Sequence, residues 1–155
     1  MEIVHFTPEY QQTTVSFMKS IARGMGWPDA PVEFYNFEKF FHLPDDGFFL
    51  LVKHDGTTVG TAGCIKLNEN DMLLKRFYIA ENLRGSGIAK KLFASVLHEA
   101  KKFEGNRIVI DVRKDNPRAI RFYEKVGFKQ YNQKQVDGWN ETKLPHIFNY
   151  YSLEV

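Results

Sequence analysis

The chain has 155 residues, 43% of them apolar and 26% charged, with a formal net charge of +2 and a single cysteine, Cys64. That length supports one domain, residues 1–155, with its own core, and a lone thiol excludes an intramolecular disulfide framework. The charge is too mild for an electrostatic nucleic-acid binder and no apolar run is long enough to span a bilayer, so a soluble cytoplasmic protein without nucleic-acid or membrane partners is expected.

In chain order, Glu2 to Phe6 reads as a short strand, and Thr7-Pro8 as the start of a helix running to about Arg23, with Thr7 as N-cap. Gly24, Gly26 and Pro28 break it. Pro31 to His42 carries Phe34, Phe37, Phe40 and Phe41 at helical spacing. After the turn Pro44-Asp45-Asp46-Gly47, Phe48 to Lys53 and Thr58 to Leu67 read as an antiparallel pair joined through His54-Asp55-Gly56. Met72 to Ile79 is almost continuously apolar and belongs in the centre of a sheet. Ile88 to Phe103 is an amphipathic helix with the stripe Ile88, Leu92, Phe93, Val96, Leu97 and Ala100. Arg107 to Val112 is a β-branched strand, and a strand–helix–strand unit of this length makes the two strands parallel. Asn116 to Val126 is a further helix stopped by Gly127, and Phe128 to Gln135 and Ile147 to Leu153 close the sheet. The order β-α-α-β-β-β-α-β-α-β-β predicts a mixed, mostly antiparallel sheet with one parallel step and flanking helices.

Between the central strand and the amphipathic helix lies Asn82-Leu83-Arg84-Gly85-Ser86-Gly87-Ile88-Ala89. Backbone N–H groups and the positive end of a helix converge there, which is an anion site. A bare Gly-x-Gly also serves as a simple tight turn. The P-loop pattern is absent. The dinucleotide fingerprint fits Gly85 and Gly87 but meets Lys90 in its third place, although Asp111 superficially mimics its ribose-binding acid.

The third pattern is Arg-x-x-Gly-x-Ala, spelled by Arg84 to Ala89. With Leu74-Lys75-Arg76-Phe77-Tyr78-Ile79 before it and a helix after it, the stretch looks like the coenzyme A site of GNAT-type N-acetyltransferases. Asn116-Pro117-Arg118-Ala119-Ile120-Arg121-Phe122-Tyr123-Glu124-Lys125-Val126-Gly127-Phe128 is similar to that family's other signature. The resemblance covers about residues 70 to 128. It implies a GNAT-like fold and transfer of an acetyl group from acetyl-CoA to a primary amine, by direct attack in a ternary complex and without a metal. It also implies site residues: the strand Phe77, Tyr78 and Ile79 pairing the pantetheine arm, with an N–H at or near Ile79 facing the thioester carbonyl, and Arg84, Gly85, Ser86, Gly87, Ile88, Ala89 and Lys90 cradling the pyrophosphate. Asn116 bonds the coenzyme arm, and Tyr123 assists departure of the thiolate.

Tyr123 also lies on the apolar helical face and fits a core aromatic, and Asn116 fits a plain N-cap. Many relatives carry a Glu where this chain has Leu73. Asp71, on the same strand face, is the nearest candidate base, Glu69 is less well placed, and either is equally a turn residue. His5, His42, His54, His98 and His146 show no metal or triad spacing, and Cys64 reads as a buried strand residue. The acceptor pocket is expected from the N-terminal helices and last strands, where Trp27, Phe34, Tyr35, Phe37, Phe41 and Trp139 are mostly core. A homodimer is left open. The alternatives are a non-catalytic acetyl-CoA-binding regulatory module, suggested by Leu73, and a nucleotide-binding protein.

Overall fold

The computed structural model describes residues 1–26, 36–131, 136–139 and 147–155. Its strands are β1 (Glu2–His5), β2 (Gly47–His54), β3 (Thr57–Lys66), β4 (Asp71–Ile79), β5 (Arg107–Arg113), β6 (Lys129–Gln130) and β7 (Phe148–Glu154). Its helices are α1 (Gln11–Gly24), α2 (Phe37–Phe40), α3 (Ile88–Lys102) and α4 (Pro117–Lys125). One mixed sheet in the order β1-β2-β3-β4-β5-β7-β6 places β4 at the centre, and only β4–β5 is parallel.

Three expectations are corrected. Pro31 to His42 is not one long helix. Residues 31–35 lie outside the described residues, and only α2 follows, capped by the Asn36 side chain accepting from Lys39 N at 3.2 Å. Thr7 does not cap α1 with its side chain: its hydroxyl donates to the Glu9 carboxylate at 3.1 Å, and a 3-10 turn, Pro8–Tyr10, precedes the helix. The strand expected from Phe128 to Gln135 pairs with β7 only at Lys129 and Gln130, and its residues 132–135 are not described.

The β2–β3 hairpin closes on Asp55 and Gly56, with φ of 49° and 75°, and His54 faces Thr57. Positive φ at both turn residues matches the right-handed strand twist, which is why Asp-Gly marks the site. The α3 stripe Ile88, Leu92, Phe93, Val96 and Ala100 is buried against Leu50, Val52, Met72, Leu74, Ile108 and Ile110 on one sheet face. The other face is covered near β2 and β3 by α1 and α2, through Phe17, Met18, Phe37 and Phe41. Near β4 and β5 it carries Leu73, Val109, Val136, Trp139 and Tyr150.

The central strand is not regular. Thr61 pairs with Tyr78 and Gly63 with Lys75, so Arg76 and Phe77 together oppose Ala62, and Arg76 has φ 55°. This is a β-bulge, and it shifts the side-chain alternation by one. Met72 and Leu74 face α3 before it, and Phe77 and Ile79 face the same way after it, while Leu73 and Tyr78 look to the opposite face. The left-handed conformation of Arg76 costs roughly 1–2 kcal/mol. Thr61, fully buried, offsets part of that by donating its hydroxyl to Arg76 O at 2.8 Å. Parallel pairing with β5 covers Asp71–Arg107, Met72–Ile108 and Leu73–Val109 and stops there. Beyond it the two strands part, leaving a wedge.

Thr61→Val keeps the volume but removes the hydroxyl that donates to the bulge carbonyl, and should lower unfolding stability by about 1–3 kcal/mol in urea denaturation. An unchanged midpoint would mean that the hydroxyl does not hold the bulge.

Candidate active site

At the wide end of the wedge the chain leaves β4 through a 3-10 turn, Glu81–Leu83, and enters α3. Gly85 and Gly87 have φ of 81° and 88°, and a Cβ at either would meet nothing within 4 Å, so the loop surface is open on that side. Gly87 is the N-cap without a side-chain cap, and the first helical bond runs from Lys91 N to Gly87 O. The N–H groups of Gly85, Gly87, Ile88, Ala89 and Lys90 make no hydrogen bond among the described residues. Donors left together at a helix start are suited to phosphate oxygens. Ser86 is different. Its N–H and its hydroxyl both go to Leu83 O, at 3.2 and 2.5 Å, so it braces the loop, and the Arg84 N–H is spent on Glu81 O.

The first turns of α3 and α4 contain no acidic residue, although acids are favoured there. Instead Arg118 sits in the first turn of α4. Its guanidinium is held below its ordinary pKa first by burial and then by Arg84 and Arg121, with Glu81 opposing. Cations that repel one another at two helix starts suit a polyanion. The loop, these cations and the backbone of β4 therefore fit the phosphates and amide arm of coenzyme A.

Along the wedge, Ala80 N donates to Val59 O at 2.8 Å. By alternation the Ile79 N–H points away from β3, towards the gap. The α4 helix borders this gap. Asn116 caps it by accepting from Ala119 N at 3.2 Å, while the Asn116 side-chain amide has no acceptor among the described residues. The far end is a Schellman cap: Phe128 N bonds Tyr123 O at 2.9 Å and Gly127 N, at φ 110°, bonds Glu124 O at 3.1 Å. Tyr123 is thus held at both backbone and ring. Its ring packs with Phe77 at 6.1 Å, Phe122 at 5.5 Å and Phe128 at 5.4 Å, on the α3 face of the sheet. Desolvation pushes the phenol well above its usual pKa, and negative charge on Tyr78 or Asp111 pushes it further. Both residues look to the opposite sheet face, along the line where β4 and β5 part.

Asp71 sits at the closed end, away from that hydroxyl. It is buried and accepts from Arg107 Nε at 2.6 Å and from Asn68 Nδ2 at 3.0 Å. The structure therefore gives the carboxylate proposed as base an ion-pair role, because its strand neighbour on β5 is an arginine in register with it. A carboxylate past the last β4–β5 pair is Asp111, on β5 opposite Tyr150. Its signal lay in the alternation of Arg107 to Arg113, where Asp111 shares a face with Val109. Cys64 is buried and burial pushes its thiol up, away from thiolate chemistry. Phe37, Phe41 and Trp139 are core, while Trp27, Phe34 and Tyr35 lie outside the described residues. Among the described residues no helix is long and apolar enough to cross a membrane and no group of three ligating side chains could hold a metal.

Residues 11–128 match the model of the acetyltransferase (GNAT) family. An uncharacterized N-acetyltransferase of Mycobacterium bovis is 38% identical over 80 residues, 52% of this chain and 51% of that one. The spermine/spermidine N(1)-acetyltransferase of Bacillus subtilis is 37% identical over 66 residues, 42% of this chain and 43% of that one. The chain thus spans about half the length of these curated relatives in its match. A GNAT-family acetyltransferase structure from Staphylococcus aureus superposes with a TM-score of 0.86 at 21% identity, covering 99% of this chain and 98% of that one. An aminoglycoside 6′-N-acetyltransferase complexed with coenzyme A gives 0.73 at 14% identity, covering 99% and 97%. At such identities the two structures establish the shared fold.

Gly87→Val would force a β-branched residue to φ 88° and put methyl groups on the open side of the loop. Calorimetry should show affinity for acetyl-CoA reduced about a hundredfold, about 2.7 kcal/mol, in a chain that still melts cooperatively. Tight binding by the variant would contradict the assigned phosphate site.

Proposed function

This chain belongs to the acetyltransferase (GNAT) family, and we propose that it transfers the acetyl group of acetyl-CoA to a primary amine by direct attack in a ternary complex. The observation that supports this reading most is the wedge beyond Leu73 and Val109, which opens onto the glycine loop and is bordered by the Tyr123 ring packed on Phe77. The reaction needs no acyl-cysteine, in keeping with the buried Cys64 thiol. A single protected thiol also suits a cytoplasmic setting.

In this mechanism the pantetheine arm lies along Phe77, Tyr78 and Ile79, the pyrophosphate rests on the N–H groups of Gly85 and of Gly87 to Lys90 with Arg84 beside it, and Asn116 donates to the arm. The amine attacks from the face of Asp111 and Tyr78. As its nitrogen bonds to the carbonyl carbon it becomes acidic and gives a proton towards Asp111, while the Ile79 N–H stabilises the oxyanion. Collapse breaks the C–S bond. Tyr123, whose phenol is held above the usual 10 or so, is a weak acid against a thiolate whose conjugate acid lies near about 8.5. Its part is therefore to donate a hydrogen bond to the departing sulfur, and the proton released by the amine balances the step. Asp111 and the surrounding tyrosines suit a cationic acceptor, and the Bacillus relative named for spermine and spermidine makes polyamines the first acceptors to test.

Free thiol should appear when the chain is mixed with acetyl-CoA and a panel of polyamines, aminoglycosides and peptides. Coenzyme binding without thiol release across the panel would instead support a regulatory binding module. Tyr123→Phe should lower kcat about a hundredfold or more with acetyl-CoA affinity within about threefold, and equal losses in both would make Tyr123 structural. Because the folded phenol keeps its proton beyond the usual value, wild-type kcat should show no Tyr123-dependent fall below pH about 10. A fall there that Tyr123→Phe abolishes would contradict its raised pKa.

A further inference from the structure

The wedge opens from a fixed point. There Asp71 and Arg107 are cross-strand partners in the first β4–β5 pair, and their side chains meet at 2.6 Å. Asp71 is nearly sealed from water at 7% exposure, and Arg107 is raised above its ordinary pKa, chiefly by the hydrogen bond to Asp71. The same cluster reaches two further segments. Asn68 donates from one amide nitrogen to Asp71 Oδ2 at 3.0 Å and to the Asp137 carbonyl at 2.7 Å, and its carbonyl oxygen accepts from Asn70 N and Asp71 N at 2.8 and 2.9 Å. Gly138, at φ 84°, lies so close to the Leu67 carbonyl that a Cβ would overlap it. Next to it Trp139 is buried, with its ring 6.0 Å from Tyr150. On the other side the Arg107 guanidinium stands 5.9 Å from the Tyr131 ring, which lies 6.3 Å from Tyr150. Tyr150 is the cross-strand partner of Asp111.

We propose that Asp71, Arg107 and Asn68 are positioning residues that hold Tyr131, the 136–139 segment and Tyr150 as a rigid aromatic wall beside Asp111, and so set affinity for the amine without touching the coenzyme. This rests on the acceptor approaching from the Asp111 face, as in the proposed function. It gives the buried ion pair a task that a general base could not perform: a carboxylate locked to an arginine at the closed end is spent on geometry. Breaking one partner leaves a buried charge unpaired and frees the wall at its base. The α3 face, with Gly85 to Lys90 and Asn116, has no member in this cluster.

The test compares Asp71→Asn and Asn68→Ala with the parent chain, all carrying Trp27→Phe so that Trp139 is the only indole. Acetyl-CoA affinity, Trp139 emission, and KM and kcat for spermidine are measured. Both variants should shift Trp139 emission to the red and leave acetyl-CoA affinity within about twofold, with spermidine KM raised about tenfold and kcat within about threefold. A collapse of kcat in Asp71→Asn alone, with loss of the acidic limb of the pH–rate profile, would make Asp71 the base and overturn the proposal. So would unchanged emission and KM in both variants. If Asp71→Asn does not fold, Asn68→Ala, which keeps the ion pair, decides by the same criteria. If the parent chain does not acetylate spermidine, that failure falls on the acceptor reading. Trp139 emission and acetyl-CoA affinity then still decide: a red shift with unchanged affinity supports the positioning role, and no shift overturns it.

Discussion

One extra residue in the central strand governs the rest of the site. With Arg76 and Phe77 opposing Ala62, β4 bends and its alternation slips by one. Pairing with β5 ends at Leu73 and Val109, and the backbone beyond is left to face a gap instead of a neighbouring strand. Phe77 is turned onto the α3 face, where it stacks on Phe122 at 5.4 Å and helps to hold α4 against a sheet that no longer pairs there. The bulge is strained at Arg76, and the buried Thr61 hydroxyl on the neighbouring strand is what satisfies its carbonyl.

Electrostatics then divides the wedge into two ends. At the wide end, positive charge gathers with Glu81 opposing it: two helix starts, Arg84, Arg118 and Arg121, with glycine-loop N–H groups that have no partner among the described residues. At the closed end, Arg107 is matched by Asp71 and needs no ligand. The proposed function assigns the anionic coenzyme to the first end and the amine to the middle, where Asp111 and the tyrosines lie. The Tyr123 ring belongs to the core on the α3 face, packed on Phe77.

Much of this was legible in the sequence because it depends on local chemistry. The α3 stripe, the Asp55-Gly56 turn, the parallel β4–β5 step and the Gly127 cap follow from periodicity, positive φ and chain length between strands, and all are observed. The bulge was not legible, since Lys75-Arg76 in an apolar run reads as a mere polar interruption. Without it the relation between Leu73 and Ile79 could not be counted correctly by alternation. Asp71 was taken for a candidate base because strand position alone does not reveal that Arg107 stands in register beside it. Asp111, proposed to take the amine's proton, was read in the sequence only against a different phosphate-binding motif. Ser86 was counted among the cradle residues, but its N–H and hydroxyl both close the turn onto Leu83.

The central claim is that acetyl-CoA lies in the wedge opened by the bulge, its arm on β4 beyond Leu73 and its phosphates on the loop before α3. Amide hydrogen exchange with and without saturating acetyl-CoA tests it most directly. Protection should rise at Phe77 to Ile79 and from Gly85 to Lys90, and change little at Asp71 to Leu73, where β4 is already paired with β5. No added protection at the first two segments, or protection confined to other strands, would contradict it.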